Sequence, residues 1–171
     1  LGGRRPGRLR AGIEPESIAI EDSGDEFDDL LRRKLAEGRR LYAYRMGEDL
    51  RWHLQSREKP RAITVLRCRR DGRLDGYLVW ERRGNDLIVA GIVDLLVASN
   101  DARVIDALLA AAYETAREQG CHLLALLGFP REIRARAEPR RLYSRMLSPN
   151  SFCYKARSAE LHSALLDGSA W

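Results

Sequence analysis

The sequence predicts an α/β fold of the α+β kind: a mixed, mainly antiparallel central sheet flanked by helices. Three observations predict it. Residues 87–98 form a long apolar run, residues 102–119 repeat apolar side chains at helical spacing, and residues 121–127 are apolar again. That stretch reads as strand, helix, strand. Upstream, Asp71-Gly72 and Gly84-Asn85 sit between apolar runs and read as turns, which links three strands by hairpins. The chain has 171 residues, 44% hydrophobic and 32% charged, which suits one soluble domain with a proper core and argues against global disorder.

Residues 1–12 are rich in Gly, Arg and Pro and read as a linker or arm. An acidic stretch follows, within which residues 17–20 read as a short first strand. Ser23 and Glu26 have capping-box spacing ahead of Phe27, Leu30, Leu31 and Leu35, which recur as on a helix, and Gly38 stops it. Residues 46–54 predict a second helix with Leu50 and Leu54 on one face, and Pro60 ends that region. Residues 62–68 alternate as a strand, 76–81 form the next, and 87–98 a long buried one. The helix over 102–119 presents Val104, Ile105, Leu108, Leu109, Ala111, Ala112 and Ala116, a broad face whose small residues suit close packing on a sheet, and Gly120 terminates it. Beyond the strand at 121–127, residues 131–146 predict a helical region broken at Pro139, 151–156 a last strand, and 159–166 a final helical turn or two.

The chain therefore divides into an arm (1–12), one domain (13–157) and a helical tail (158–171). Its start at Leu1 and abrupt end at Trp171 lead us to expect a trimmed chain or the end piece of a longer protein.

Thirty Lys and Arg against 25 Asp and Glu give a net charge of +5, with lysine only at positions 34, 59 and 155. That balance permits weak attraction to nucleic acid or to anionic cofactors. No recognition motif or basic–aromatic ladder supports nucleic acid as a partner, and mixed surface charge in an arginine-biased chain explains the balance. No apolar run approaches the roughly 18–20 residues that cross a bilayer, and no apolar signal core follows the basic start. A cytoplasmic location is expected. Cys68, Cys121 and Cys153 are far apart and odd in number, which suits free, buried thiols in a reducing compartment. Cys121-His122 has no second pair at zinc spacing, and His53 and His162 stand alone, so no metal site is expected.

The element order, with VDLLVASNDARVIDALL, AREQGCHLLALL and RRLYSRMLSPNSFCYKA, resembles the GNAT superfamily of N-acyltransferases over roughly residues 17–155. The segment Asp49-Leu50-Arg51-Trp52-His53-Leu54, with Pro60 downstream, resembles a pattern in bacterial GNAT-like proteins of polysaccharide biosynthesis. Those proteins often carry two such domains in tandem, and this chain resembles the C-terminal one. The resemblance implies a V-shaped cleft between the central strand and the next. It implies acetyl-CoA or another acyl-CoA as donor and a small-molecule amine or amino sugar as acceptor. A tandem GNAT domain or a homodimer is the implied protein partner. The alternative it leaves open is a non-catalytic GNAT-like module that supports a partner or tandem domain.

In that family the backbone of the central strand, here Leu95, Leu96 and Val97, binds the pantetheine arm. The pyrophosphate lies on the N-terminus of the next helix, where unpaired N–H groups and the helix dipole favour an anion. The corresponding loop here is Ser99, Asn100, Asp101, Ala102 and Arg103, shorter than the family's and without its glycines. Ser99, Asn100 and Asp101 are all good N-caps, worth about 1 kcal/mol, and can satisfy the same N–H groups. Asp101 repels a pyrophosphate while Arg103 pairs with one; two close charges interact by about 1–4 kcal/mol in partly wet surroundings. The loop reads either as a plain helix cap or as a site that admits CoA through Ser99, Asn100, Arg103 and the strand.

Acyl transfer needs a base for the amine and an acid for the departing thiolate. Tyr143 matches the family's late-helix tyrosine near the sulfur, or packs half-buried. Asp94, an acid in an apolar strand, is the base candidate if it faces the cleft; otherwise it faces solvent or a partner. Glu81 is the second candidate. Trp52 and Trp80 are expected to pack, and Arg51 and Arg57 to lie on a solvated helix face or to contact an anionic substrate.

Overall fold

Alternation along the strands gives the sheet two buried faces, and the helices divide between them. The computed structural model describes residues 13–38, 45–55, 62–137, 158–160 and 163. The strands are β1 (Glu16–Ile18), β2 (Ile63–Arg70), β3 (Arg73–Arg83), β4 (Val89–Val97) and β5 (Leu123–Leu126). They lie side by side in chain order. The pairs β1–β2, β2–β3 and β3–β4 are antiparallel, while β4 and β5 are parallel. The helices are α1 (Asp25–Ala36), α2 (Gly47–Gln55), α3 (Ala102–Glu118) and α4 (Arg131–Ala137). A parallel pair needs a crossover, and α3 is the crossover between β4 and β5.

On one face, Leu66, Cys68, Leu78, Trp80, Ala90 and Ile92 pack against Val104, Ile105, Leu108, Leu109, Ala112 and Ala116 of α3. On the other, Val65, Leu74, Tyr77, Val79 and Leu96 pack against Phe27, Leu30 and Leu31 of α1 and Leu50 and Leu54 of α2. Leu30, Leu31, Leu78, Leu108 and Leu109 are each at most 1% exposed. Burying one such side chain is worth about 1.5–3 kcal/mol. The predicted apolar faces of these helices are the buried ones, except that Leu35 of α1 is 47% exposed and Lys34 is buried in its stead.

At Gly76 the sheet lies close against α3. A Cβ there would lie 2.9 Å from Val97 Cγ2 and 3.0 Å from Val104 Cγ1, so only glycine lets α3 seat. The predicted hairpin at Asp71-Gly72 forms with both residues at positive φ (52° and 75°), which is why that pair joins β2 to β3 in two residues.

Two further local readings differ from the structure. The capping box does not form: Ser23 Oγ donates to Ile20 O at 2.6 Å and the N-cap of α1 is Gly24, without a side-chain cap. A 3₁₀ turn over Ile20–Asp22 draws the serine inward. Trp52 does not pack; it is 70% exposed, because α2 buries the face of Leu50 and Leu54 and residue 52 points away from it. Trp80 is fully buried as expected, though its indole Nε1 has no hydrogen-bond partner among the described residues. Cys68 and Cys121 are free and buried, and burial, with the nearby Asp75 charge, pushes the Cys68 thiol up. The predicted strand at 151–156, most of the tail, Cys153, His162 and Arg57 lie outside the described residues.

The sheet also carries a feature that no sequence pattern announced. In the β3–β4 ladder Val79 pairs with Asp94 and Trp80 with Ile92, so Val93 is an extra residue in β4. Such a bulge shifts the alternation by one. Ala90 and Ile92 face α3, whereas Val93 and Leu96 join the α1–α2 face and Leu95 and Val97 return to the α3 face.

Candidate functional site

The bulge stands where β4 leaves β5. Their register runs from Val89↔Leu123 to Ile92↔Leu126 and stops, while β4 continues through Val97. The residues of β4 beyond the bulge therefore border a V-shaped opening, which is the cleft the sequence led us to expect. It measures about 730 Å³. Its walls include Val93, Leu95, Leu96 and Val97 on one side and Leu127, Phe129 and Ile133 on the other, with Lys34, Arg45, Asp94 and Asn100 at polar positions.

Asp94 faces this cleft, and three donors converge on its carboxylate. Tyr77 Oη donates to Oδ2 at 2.8 Å, the Leu95 N–H donates to Oδ1 at 2.9 Å, and the Arg45 guanidinium pairs with Oδ1. The Asp94 side chain is 12% exposed and Arg45 23%. Tyr77 is itself buried against Phe27, ring centroids 4.8 Å apart. Burial first, then the Asp94 charge, pushes the Tyr77 phenol well up, so it stays neutral and donates. An acid in an apolar strand is thus accounted for by an ion pair and a phenol that reach it from the α1–α2 face.

The corner between β4 and α3 is built from side chains of both. A 3₁₀ turn over Ala98–Asn100 precedes α3, with Ser99 and Asn100 at φ of 51° and 48°. Left-handed backbone is therefore present without glycine. Asp101 is the N-cap, its Oδ1 accepting the Arg103 N–H at 2.9 Å. Its Oδ2 also meets Arg70 Nη2 at 2.9 Å and Arg103 Nη2 at 3.1 Å. Hydrogen bonds from Arg103 and then Arg70 outweigh burial and hold the Asp101 carboxyl far below its usual range.

A second carboxylate reaches the corner from the end of α1. Glu37, the C-cap residue, accepts the Ser99 N–H on Oε1 at 2.6 Å and Lys34 Nζ on Oε2 at 2.7 Å. Lys34, only 2% exposed, also donates to Asn100 Oδ1 at 2.8 Å. Burial acts to raise the Glu37 carboxyl, but the bonds from Lys34 and Ser99 and the Lys34 charge bring it below its usual value.

The expected site residues separate accordingly. Asp94, Leu95, Leu96, Val97 and Asn100 line the cleft. Ser99 has its N–H taken by Glu37, and Arg103, 72% exposed, lies against Asp101 rather than standing free. Glu81 is buried but paired with Arg83 and is not in the cleft lining. Arg51 reaches back to Ser23 O, a structural contact. Tyr143 lies outside the described residues. No group of His, Cys, Asp or Glu among the described residues could hold a metal, and no helix among them is long and apolar enough to cross a membrane.

Lys34, Glu37, Arg45 and Tyr77 were not anticipated. Lys34 left a trace, since it continues the stripe of Phe27, Leu30 and Leu31, where a lysine needs a partner. The other three are brought in by tertiary contacts at long sequence separation.

The residues fit an acyl-CoA in part. The opened strand and apolar walls suit a pantetheine arm. The helix start does not suit the pyrophosphate, because carboxylates already hold the N–H groups of Ser99 and Arg103.

No protein-family model and no curated protein matches the sequence. Solved structures do match its fold. An aminoglycoside acetyltransferase from an uncultured soil metagenomic sample, in complex with sisomicin, aligns at TM-score 0.63 and 14% identity over 86% of this chain and 100% of that one. A ribosomal-protein-alanine N-acetyltransferase from Brucella melitensis biovar Abortus 2308 aligns at TM-score 0.57 and 18% identity, covering 85% and 99%. A predicted acetyltransferase with acetyl-CoA from Clostridium acetobutylicum aligns at TM-score 0.59 and 10% identity, covering 81% and 96%. With its parted β4 and β5, its crossover helix and these neighbours, the chain has the GNAT fold of the N-acetyltransferases.

Proposed function

We propose that the chain is an acyltransferase domain that moves an acetyl or longer acyl group from a pantetheine thioester to an amine or amino-sugar acceptor. The observation that carries this reading is the divergence of β4 from β5 after Ile92↔Leu126, which opens a cleft beside Leu95, Leu96 and Val97. The neighbours with acetyl-CoA and with sisomicin support the donor and acceptor classes by fold.

In the reaction the acceptor nitrogen attacks the thioester carbonyl. A C–N bond forms, the C–S bond breaks, the nitrogen loses a proton and the departing thiolate gains one. Asp94 takes the first proton, directly or through water, once the amine replaces one of its present donors. Tyr143 supplies the second. Arg45, which holds Asp94 and lines the cleft, positions the carboxylate.

A second reading has its own observation. Glu37 holds the Ser99 N–H that a phosphate would need, as a non-catalytic module supporting a tandem domain or a second copy would tolerate. Calorimetry with acetyl-CoA and acetyl-pantetheine separates the two. Binding of either thioester supports the acyltransferase; absence of heat from both at millimolar concentration leaves only the supporting module.

A further inference from the structure

We propose that, of the parts of CoA, only the pantetheine arm is recognised, the nucleotide half contributing nothing to binding. This rests on the acyl-transfer reading above and narrows its donor.

A pyrophosphate at a helix start needs unpaired N–H groups and a place free of negative charge. At the head of α3 two such N–H groups are already taken, and by carboxylates. Glu37 and Asp101 hold the Ser99 and Arg103 N–H groups at 2.6 and 2.9 Å. Both carboxyl groups lie below their usual ranges and are ionised at neutral pH. The nearby cations are engaged as well: Lys34 with Glu37 and Asn100, and Arg70 and Arg103 with Asp101.

Glu37 is not a loose surface acid. It closes α1, and the buried Lys34 ties it to Asn100 across the corner. A pyrophosphate entering here meets two fixed negative charges and must displace one. The strand side of the cleft carries no such obstacle, since β4 runs on past β5 between apolar walls. The recognised chemistry is therefore an acyl-pantetheine thioester. CoA presents that arm, and so does the phosphopantetheine of an acyl carrier protein.

Titration calorimetry of the full chain with acetyl-pantetheine and with acetyl-CoA tests this. Dissociation constants within about fivefold of each other are expected. A preference for acetyl-CoA of about fivefold or more overturns the proposal while upholding the acyl-transfer reading. Binding of neither overturns both. In Glu37→Ala the Ser99 N–H is released, and acetyl-CoA should then gain about fivefold or more over acetyl-pantetheine; an unchanged ratio removes Glu37 as the excluding group and overturns the proposal. Turnover with an acetylated carrier protein faster than with acetyl-pantetheine supports the proposal with the carrier as source. Equal turnover of acetyl-pantetheine and acetyl-CoA supports it with free CoA as source.

Discussion

Glu37 and Ser99, separated by 62 positions in the sequence, meet at 2.6 Å, carboxylate oxygen to backbone N–H. The contact fastens the end of α1 to the corner between β4 and α3. The stability of this corner passes through it.

Acid should loosen this corner. The Glu37 and Asp101 carboxyls both titrate below their ordinary values of 4.5 and 3.8. A lowered folded value means the stabilisation is complete above the ordinary value and is lost as pH falls through the folded one. The melting temperature should hold steady from neutral pH down to about 4.5 and fall below it. The double variant Glu37→Gln, Asp101→Asn should melt lower at neutral pH but lose less between there and strong acid. Identical slopes in variant and wild type would refute the assignment.

Removing the Tyr77 hydroxyl should weaken the fold without disturbing its outline. Tyr77→Phe keeps the ring against Phe27 and deletes one donor to Asp94. A hydrogen bond to a charged group is worth about 1.5–3 kcal/mol, and Arg45 and the Leu95 N–H remain, so a loss near the lower end is expected. Urea unfolding measures it. A variant as stable as wild type would mean that the phenol contributes nothing to holding Asp94.

Gly76→Ala should cost about 1–3 kcal/mol by overpacking. The new methyl meets Val97 Cγ2 at 2.9 Å and Val104 Cγ1 at 3.0 Å, both on stiff β-branched side chains. The midpoint of urea unfolding is the readout, and no shift would mean that α3 moves away freely.

Tyr143→Phe should slow acyl transfer about a hundredfold or more, as loss of a general acid does, and leave thioester affinity unchanged. Single-turnover rates with acetyl-pantetheine, beside calorimetry of the same variant, make the comparison. Wild-type turnover would take Tyr143 out of the mechanism.

The frame of this fold was readable because periodicity reports burial. The spacing of Leu108, Ala112 and Ala116, the runs at Leu78 and Ile92, and the Asp71-Gly72 turn each place their element correctly. Of the cleft lining, the sequence reading reached Asp94, Leu95 to Val97 and Asn100, which lie on or beside that frame. The electrostatics of the cleft were not readable, because Arg45 reaches Asp94 across 49 positions and Lys34 reaches Asn100 across 66. Nothing local marks such pairs. Ser23 misled for the opposite reason: the right residue for a cap stood at the right spacing, but its hydroxyl found Ile20 O first.

Val93 has a consequence for how this chain is compared with others. One surplus residue reverses the sidedness of everything that follows it in β4. An alignment that slides past position 93 without a gap pairs core positions with cleft positions all the way to the corner. Two chains can then share this architecture closely while their sequences, matched letter by letter, look like strangers. Deleting Val93 would leave Ile92 opposite Trp80 and Asp94 opposite Val79, restoring plain alternation at the point where β4 parts from β5.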